Sequence, residues 1–332
     1  MSIAIPVPPL EMELPVASLP DDPTWRENFC FDGYDAANDI GFWIHCGRWS
    51  KDPSIWREQV LIYLPDGDYM INRSWGYRES KEGVSAALLD LVCEIPGRRW
   101  RLHYRGPGRR ASQAEVLGGP LPEGAKALVE LDIVFSSEVP IWDMSASLGD
   151  SDWGKFHIEQ TGRFQGSIAV DGQRHAMDGF GWRDHSRGPR DNHSIGRHAW
   201  IHGNLSRGRS FALTFYDALK EGQLVRNLDK VVIWDGGQLY PATCPNPPML
   251  ESTDVPSSGY QMRLEYERGT IDIEATVKRC LPHSTTRYNE CFDGICPDLA
   301  SIVTYEQGTI FRVDGELHNG HSERSFRFPA GE

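Results

Sequence analysis

Alternation of apolar and polar residues with a period of two is the feature that most constrains this chain. In "ALVELDIVF" (127–135) an apolar side chain recurs at every second position from Val129 to Phe135, with Glu130 and Asp132 between them. "TIDIEATVK" (270–278) follows the same rule. A strand with one face in a core and one polar face requires this pattern. The sequence therefore predicts β-strands.

Turn signals separate these runs. Four dipeptides supply the positive φ angles that tight hairpins need: Asp66-Gly67, Asp171-Gly172, Gly236-Gly237 and Asp314-Gly315. The best candidate for a helix is "SKEGVSAALLDLVCE" (80–94), which also fits a strand. Short strands at regular spacing predict an all-β fold of antiparallel sandwiches or barrels.

The length of 332 residues suggests two domains or one large β domain. "MSASLGDSDWGK" (144–155) is small, polar and glycine-containing, and we interpret it as a linker. The predicted division is an extended Pro-rich arm over 1–27 and β domains over 28–150 and 151–332. No strong internal repeat is evident, although the similar halves leave two related barrels open.

Composition excludes several classes of function. The formal net charge of −13 argues against nucleic-acid binding, and no basic tract of the kind that attracts anionic lipids is present. No apolar run reaches transmembrane length, and the N-terminus lacks the features of a signal peptide. The seven cysteines are irregularly spaced, so we expect reduced thiols, a cytoplasmic location and no zinc site at Cys280, Cys291 and Cys296.

A stretch dense in ionisable groups, "DGFGWRDHSRGPRDNH" (178–193), precedes the predicted strand "HAWIHGN" (198–204). We interpret the stretch as a loop that joins two strands at a sheet end, where functional groups often lie. Asp184 and His185 stand between Arg183 and Arg187, and a carboxylate beside an imidazole suits a general acid or base. The alternative is that these charged side chains pair with one another and only hold the loop in one conformation.

Other chemistry is poorly supported. His185, His193, His198 and His202 suggest a metal site, but residues four apart on a strand stand about 13 Å apart, so no metal is predicted. The "DHS" triplet has no G-x-S-x-G elbow around it, which argues against a serine hydrolase. No G-x-G-x-x-G or P-loop is present, and we therefore expect no nucleotide cofactor.

The stretch "GRFQGSIAVDGQRHAMDGFGWRDHSRGPRD" (162–191) resembles the carotenoid 1,2-hydratase (hydroxyneurosporene synthase)-like proteins and the AttH-like tandem-lipocalin group. "GFWIHCGRWSKDPSIWREQVLIYLPDG" (41–67) and "PGRRWRLHYRGP" (96–107) are also similar, so the resemblance covers most of residues 28–320. One departure is Arg187, where the family pattern leads us to expect Trp. A polar residue there implies a more polar pocket.

The resemblance implies two lipocalin-like antiparallel β-barrels packed together, a fold that some Diels–Alderases share. It also implies addition of water to a prenyl-type double bond, or cyclisation of a polyene, without a redox cofactor. Because a shared fold is weak evidence for chemistry, the residues must carry the functional hypothesis.

The main hypothesis is a cofactor-independent lyase, hydratase or cyclase that acts by acid–base chemistry on a hydrophobic, isoprenoid-like or polycyclic small molecule. The candidate proton carriers are Asp184, His185 and His202. The candidate pocket residues are Trp182, Trp200, Trp43, Tyr216 and Arg183. Two alternatives stay open: a non-catalytic carrier of a hydrophobic ligand, and a pericyclase that preorganises a polyene. The oligomeric state is also open, with a homodimer as one option.

Overall fold

The computed structural model is almost entirely β and divides into two compact units. It describes residues 8–148, 154–190, 194–205, 208–286 and 290–329. The first unit contains Met1–Ala111 and Glu123–Arg190, and the second contains Ser112–Pro122 and Asp191–Glu332. No helix among the described residues is long and apolar enough to cross a membrane. No disulfide bond joins the described cysteines.

The first unit is a closed up-and-down barrel. The elements are α1 Leu10–Glu13, β1 Trp25–Asp35, β2 Ile40–Trp49, β3 Asp52–Tyr63, β4 Tyr69–Gly76, β5 Gly83–Ser85, β6 Leu89–Ile95, β7 Arg99–Ala111, β8 Lys126–Ser136, β9 Trp142–Asp143, α3 Ser145–Leu148, β10 Phe156–Val170 and β11 Gln173–Pro189. Eight strands pair in the order β4-β3-β2-β1-β11-β10-β8-β7, and the β4–β7 pairing closes the ring. Closure leaves no long unpaired sheet edge among these strands.

The second unit repeats this topology. The elements are α2 Gln113–Leu117, β12 Ile195–Leu205, β13 Arg209–Lys220, β14 Gln223–Asp235, β15 Gln238–Thr243, β16 Gly259–Tyr266, β17 Gly269–Val277, β18 Leu281–Thr285, β19 Cys291–Asp293, β20 Ile302–Val313 and β21 Glu316–Arg327. Eight strands pair in the order β17-β16-β15-β14-β13-β12-β21-β20, and the β17–β20 pairing closes the ring. The predicted class, all-β with two lipocalin-like antiparallel barrels, is confirmed.

The barrel interiors hold the apolar faces that the alternation predicted. Val129, Leu131, Ile133 and Phe135 lie in the first core, and Ile271, Ile273 and Ala275 lie in the second. Two predicted Asp-Gly turns, at Asp171 and Asp314, join β10 to β11 and β20 to β21 with positive φ at both central residues. The helix candidate 80–94 forms β5 and β6 instead, because every second side chain from Leu89 to Cys93 enters the core.

Two sequence-based interpretations differ from the structure. The charged stretch that we read as a loop lies mostly in β11, which pairs with β10 as far as Arg187 and with β1 as far as Pro189. The proposed boundary at residue 150 falls before the β10–β11 hairpin, whereas strand pairing places this hairpin in the first unit. Residues 144–148 of the proposed linker connect β9 to the hairpin within that unit, and 149–153 lie outside the described residues.

Glycines mark a position that both barrels share. Gly33 of β1 pairs with Gly181 of β11, and Gly203 of β12 pairs with Gly320 of β21. A Cβ built at Gly181 would lie 1.9 Å from the backbone oxygen of Asp32, which is far below contact distance. At Gly181 the partner strand's backbone leaves no room for a side chain, and at Gly320 both the Phe311 ring and the backbone oxygen of His202 would collide with one.

We expect Gly181→Ala to destabilise the protein by about 3 kcal/mol or more, because the clash is with backbone and cannot be relieved by a side-chain rotation. Denaturant unfolding measures the loss. Gly118→Ala is the matched control, since the nearest atom to a Cβ there lies at 3.0 Å and the glycine adopts an ordinary helical conformation. Equal losses in the two variants would contradict the close approach at Gly181.

Candidate active site

Strand geometry separates the residues that the sequence placed together. Successive side chains of a strand point to opposite faces, and Met177 of β11 lies in the first core. Arg183 and His185 therefore point into the barrel, whereas Trp182 and Asp184 point outward. The proposed pair of Asp184 and His185 is not brought together, because adjacent residues of one strand cannot share a face.

His185 is enclosed inside the first barrel. Its Nδ1 lies 2.8 Å from the backbone oxygen of Met12, its Nε2 lies 3.1 Å from Glu27 Oε1, and its ring stacks on Phe29 at 3.9 Å. Burial alone would raise the pKa of the Glu27 carboxyl, but His185 and the guanidinium of Arg48 outweigh burial and lower it. These contacts favour a structural role for His185.

Arg187 also lies on the inward side of β11. Its guanidinium stands 4.3 Å from the centre of the Phe156 ring and 3.8 Å from Glu27 Oε1. Arg187, the residue that departs from the family pattern, therefore joins the buried charge network around Glu27.

The outward face of β10 and β11 carries a second group of polar residues. Trp182 Nε1 donates to Glu159 Oε2 at 2.9 Å. His157 Nε2 lies 3.4 Å from Glu159 Oε1 and 3.6 Å from Asp184 Oδ2. Asp184 thus stands next to an imidazole after all, but the imidazole belongs to β10. His157 and Glu159 were not predicted from the sequence.

Trp43 lies on the same outward face of the first barrel. Asp32 of β1 pairs with Trp43 of β2 on one side and with Trp182 of β11 on the other. Paired residues of antiparallel strands present their side chains on the same face. Two of the predicted pocket residues, Trp43 and Trp182, are therefore near neighbours across Asp32, and Trp43 is 3% exposed.

The outward face of the second barrel brings together three predicted residues. His202 and Trp200 lie on β12, and Tyr216 of β13 pairs with His198 of the same strand. The rings of Trp200 and His202 meet edge to face at 4.7 Å. Tyr216 Oη lies 2.7 Å from Ser194 Oγ. All of these aromatic side chains are buried.

A buried carboxylate at the centre of this face was not predicted. Glu306 of β20 is fully buried, and its two oxygens each accept a hydrogen bond at 2.9 Å, from His283 Nε2 and from His321 Nε2. Burial raises the pKa of the Glu306 carboxyl, but the two histidines outweigh burial and lower it to about 2. Glu306 is therefore an anion held between two imidazoles.

The histidines around Glu306 have distinct surroundings. Burial lowers the pKa of His283, but hydrogen bonds with Cys291 and Glu306 outweigh burial and raise it to about 9. The His321 ring stacks on His202 with centroids 5.5 Å apart and meets Trp200 at 6.1 Å. His321 therefore connects the carboxylate to the two predicted residues of β12.

Glu159 and Glu306 occupy equivalent positions in the two barrels. In the first unit Gly181 pairs with Gly162, and in the second Gly320 pairs with Thr309, so Gly162 corresponds to Thr309. Each glutamate lies three residues before this position. Each accepts a hydrogen bond from the residue after the glycine, which is Trp182 in one unit and His321 in the other.

A sequence signal for this equivalence exists. "IEQTGRF" (158–164) and "YEQGTIF" (305–311) share a Glu-Gln pair followed four residues later by Phe. Both glutamates point outward and both glutamines inward, as strand alternation requires. The short repeat identifies the buried glutamates, but it does not identify their histidine partners.

Other residues that drew attention have ordinary roles. Asp35 accepts from the backbone amides of Ala37 and Asn38, which forms an Asx turn. Asp178 pairs with Arg163 of the neighbouring strand β10. His193 lies outside the described residues. Within residues 8–148, 154–190, 194–205, 208–286 and 290–329, no three His, Cys, Asp or Glu side chains form a group that could hold a metal ion.

Comparison with solved structures shows the fold. A protein assigned as AttH from Nitrosomonas europaea is 14% identical with a TM-score of 0.58, over 90% of this chain and 91% of that one. CghA in complex with Sch210972 is 9% identical with a TM-score of 0.56, over 93% and 90%. Kievitone hydratase from Nectria haematococca is 12% identical with a TM-score of 0.51, over 98% and 94%.

The AttH-like part of the sequence resemblance is thus matched by a solved structure, whereas the carotenoid 1,2-hydratase part stays a prediction. No curated protein matches the sequence. A family model described as a domain of unknown function (DUF7064) matches residues 11–298, which include most of both barrels. The chain therefore belongs to the DUF7064 family.

Proposed function

We propose that this protein catalyses proton transfer to or from a hydrophobic small molecule, as a lyase, hydratase or cyclase, with Glu306 and its histidines as the catalytic group. The observation that carries the proposal is the buried Glu306 carboxylate between His283 and His321, with His202 and Trp200 against His321. Burial of paired titratable groups is typical of catalytic sites.

The arrangement supplies a proton donor beside an aromatic surface. Glu306 stabilises a protonated imidazole on either side, so one histidine can give up a proton while the carboxylate keeps the other charged. His321 is the proposed proton carrier, because its ring is the one that contacts His202 and Trp200. The face of Trp200 can stabilise a cation that forms on the substrate. In this proposal His202 is the second proton carrier.

Asp184 stays a proposed proton carrier in the first unit. Its neighbours His157 and Glu159 make a second carboxylate–imidazole group, and Glu159 is the counterpart of Glu306. Trp182 and Trp43 are proposed to present an aromatic surface beside it. His185 and Arg183 are not part of this group, because both point into the barrel.

The comparisons support this reaction class only at the level of the fold. One structural neighbour is named a hydratase, and another was crystallised with Sch210972. Addition of water to an alkene, or its reversal, uses the acid and base that Glu306 and His321 provide. The isoprenoid-like or polycyclic nature of the substrate is part of the proposal. A non-catalytic carrier and a pericyclase are the competing functions.

Turnover in deuterium oxide separates these functions. The purified protein is incubated with a panel of prenylated phenols and linear polyenes, and products are analysed by mass spectrometry. A hydratase places one solvent deuteron on carbon together with a new hydroxyl group, and a proton-initiated cyclase places a deuteron without the hydroxyl. A pericyclase changes the connectivity of a polyene and incorporates no deuterium, and a carrier changes nothing.

We expect His321→Gln and Glu306→Gln each to lower deuterium incorporation about 100-fold or more, since general acid–base groups contribute on this scale. His103→Gln is the matched control, because His103 is an exposed histidine of β7. Asp184→Asn tests the first unit in the same assay. Incorporation that persists in both His321→Gln and Glu306→Gln would contradict the assignment.

A further inference from the structure

The N-terminal segment places a carboxylate inside the first barrel. Glu13, the last residue of α1, is fully buried, although this helix has only four residues. Its Oε2 accepts from Arg183 Nη1 at 2.7 Å, and its Oε1 accepts from Arg183 Nη2 at 2.9 Å and from the Gly97 amide at 2.8 Å. The carboxylate therefore has three donors, two of which form a fork on one guanidinium.

The barrel itself holds these donors in place. Arg183 Nε donates to Gln160 Oε1 at 3.0 Å, and Gln160 Nε2 donates in turn to the backbone oxygens of Gly97 and Val139, at 2.9 Å and 2.7 Å. No atom of the N-terminal segment takes part in these bonds. Gln160 therefore helps to hold the guanidinium and the Gly97 peptide in place.

The guanidinium is buried against aromatic side chains. The rings of Trp100 and Phe135 each lie 5.8 Å from the Arg183 guanidinium carbon, and both rings belong to the first core. Arg183 is 2% exposed. A buried cation without a partner is strongly unfavourable, so this position requires an anion at all times.

The segment that supplies the anion is attached by few polar contacts. Apart from Glu13, the described hydrogen bonds between residues 8–16 and the rest of the first unit are those of the Met12 oxygen with His185 and of the Val16 amide with Glu27. Leu14 packs against the core. The segment forms no strand pairing, so the pair of Glu13 with Arg183 is its main polar attachment, and a ligand anion that replaces Glu13 removes that attachment.

We propose that Arg183 and the Gly97 amide form a binding site for the carboxylate of an acid with a long apolar chain, and that Glu13 occupies this site until such a ligand displaces it. The paired N–H groups of the arginine match a carboxylate, and the requirement for an anion excludes an alcohol of the same shape. The space of Leu14 beside the core suits the first part of the apolar chain. The inference concerns the interior of the first barrel and does not depend on the function proposed for Glu306.

The test uses the full chain with Glu13→Ala and two probes of equal length, dodecanoate and dodecanol, in a titration calorimeter. We expect Glu13→Ala to bind dodecanoate roughly tenfold or more tightly than the wild type, because the competing internal carboxylate is gone. Dodecanol should bind the two proteins equally. Propionate, which resembles the missing side chain, should raise the thermal midpoint of Glu13→Ala and not that of the wild type, with chloride at equal ionic strength as the salt control.

Glu11→Ala is the matched variant, since Glu11 lies in the same short helix but is exposed. It should behave as the wild type with every probe. Adding Arg183→Met to Glu13→Ala should abolish the gain in dodecanoate affinity. Should Glu13→Ala not fold, Glu13→Gln replaces it, because a glutamine retains an acceptor for the Gly97 amide and removes the charge. If the folded variant gains neither dodecanoate affinity nor stability from propionate, Glu13 only stabilises the fold and the proposal fails.

Discussion

Glu306→Ala is expected to lower the free energy of unfolding by about 3–5 kcal/mol. Removing one member of a buried ion pair leaves the other members without their counter-charge in a medium that solvates them poorly. Here the loss affects two imidazoles at once, since His283 and His321 both donate to the same carboxylate. Urea-induced unfolding at neutral pH, followed by tryptophan fluorescence, measures the change.

Glu274→Ala is the control for this experiment. Glu274 lies on the wall of the same barrel, and its pair with Arg312 joins two side chains that are each more than half exposed. Exposed ion pairs contribute about 1 kcal/mol or less to stability, so the free energy of unfolding of Glu274→Ala should remain close to that of the wild type. A loss in Glu306→Ala no larger than in Glu274→Ala would show that the carboxylate does not hold its histidines in place.

The strands that the sequence predicted best are those with one purely apolar face. In β8 and β17 the alternation and the burial coincide, because Leu131 and Ile273 face a core while Asp132 and Asp272 face solvent. The Asp-Gly turns were predictable for a local reason, since positive φ is a property of the residue and its neighbour.

β11 was misread because its inward face is polar near the C-terminal end. Arg183 and His185 enter the barrel, where Glu13 and Glu27 neutralise them, so the alternation that marks a strand disappears. The partners of Arg183 and His185 lie about 160 residues away in sequence. No local sequence pattern therefore indicates a buried ion pair here. A run of glycines and charges then resembles a loop, although the backbone pairs on both sides.

The candidate site was predicted only in part for a related reason. His202 and Trp200 were singled out from the sequence because they stand on an obvious strand and share one face of it. Glu306 is a single carboxylate in a largely apolar strand, and its partners His283 and His321 come from two other strands. Only strand pairing shows that the three side chains share one face. The Glu-Gln repeat was the one local clue.

The difference in stability between neutral and alkaline pH should be smaller in Glu306→Gln than in the wild type. The folded pKa of His283 is about 9 against an ordinary value of 6.5, so its contribution is complete below pH 6.5 and is lost as pH rises through 9. For Glu306 the pKa falls from 4.5 to about 2, so its contribution is present above pH 4.5 and is lost as pH falls toward 2. The pair therefore stabilises the fold most between these two windows.

The alkaline window is the cleaner one to measure, because many other carboxylates titrate in the acidic one. Unfolding free energies at pH 6 and pH 10 should differ in the wild type by on the order of 1 kcal/mol or more beyond the difference in Glu306→Gln, because a hydrogen bond with Cys291 and the Glu306 carboxylate together raise the pKa of His283 and the variant removes only the second cause. Tyrosines and lysines titrate equally in both proteins and cancel in the comparison. His103→Gln should keep the profile of the wild type. An identical alkaline loss in the wild type and in Glu306→Gln would mean that Glu306 does not stabilise the charged form of His283. The charged carboxylate–imidazole group, on which the proposed proton transfer depends, would then be absent.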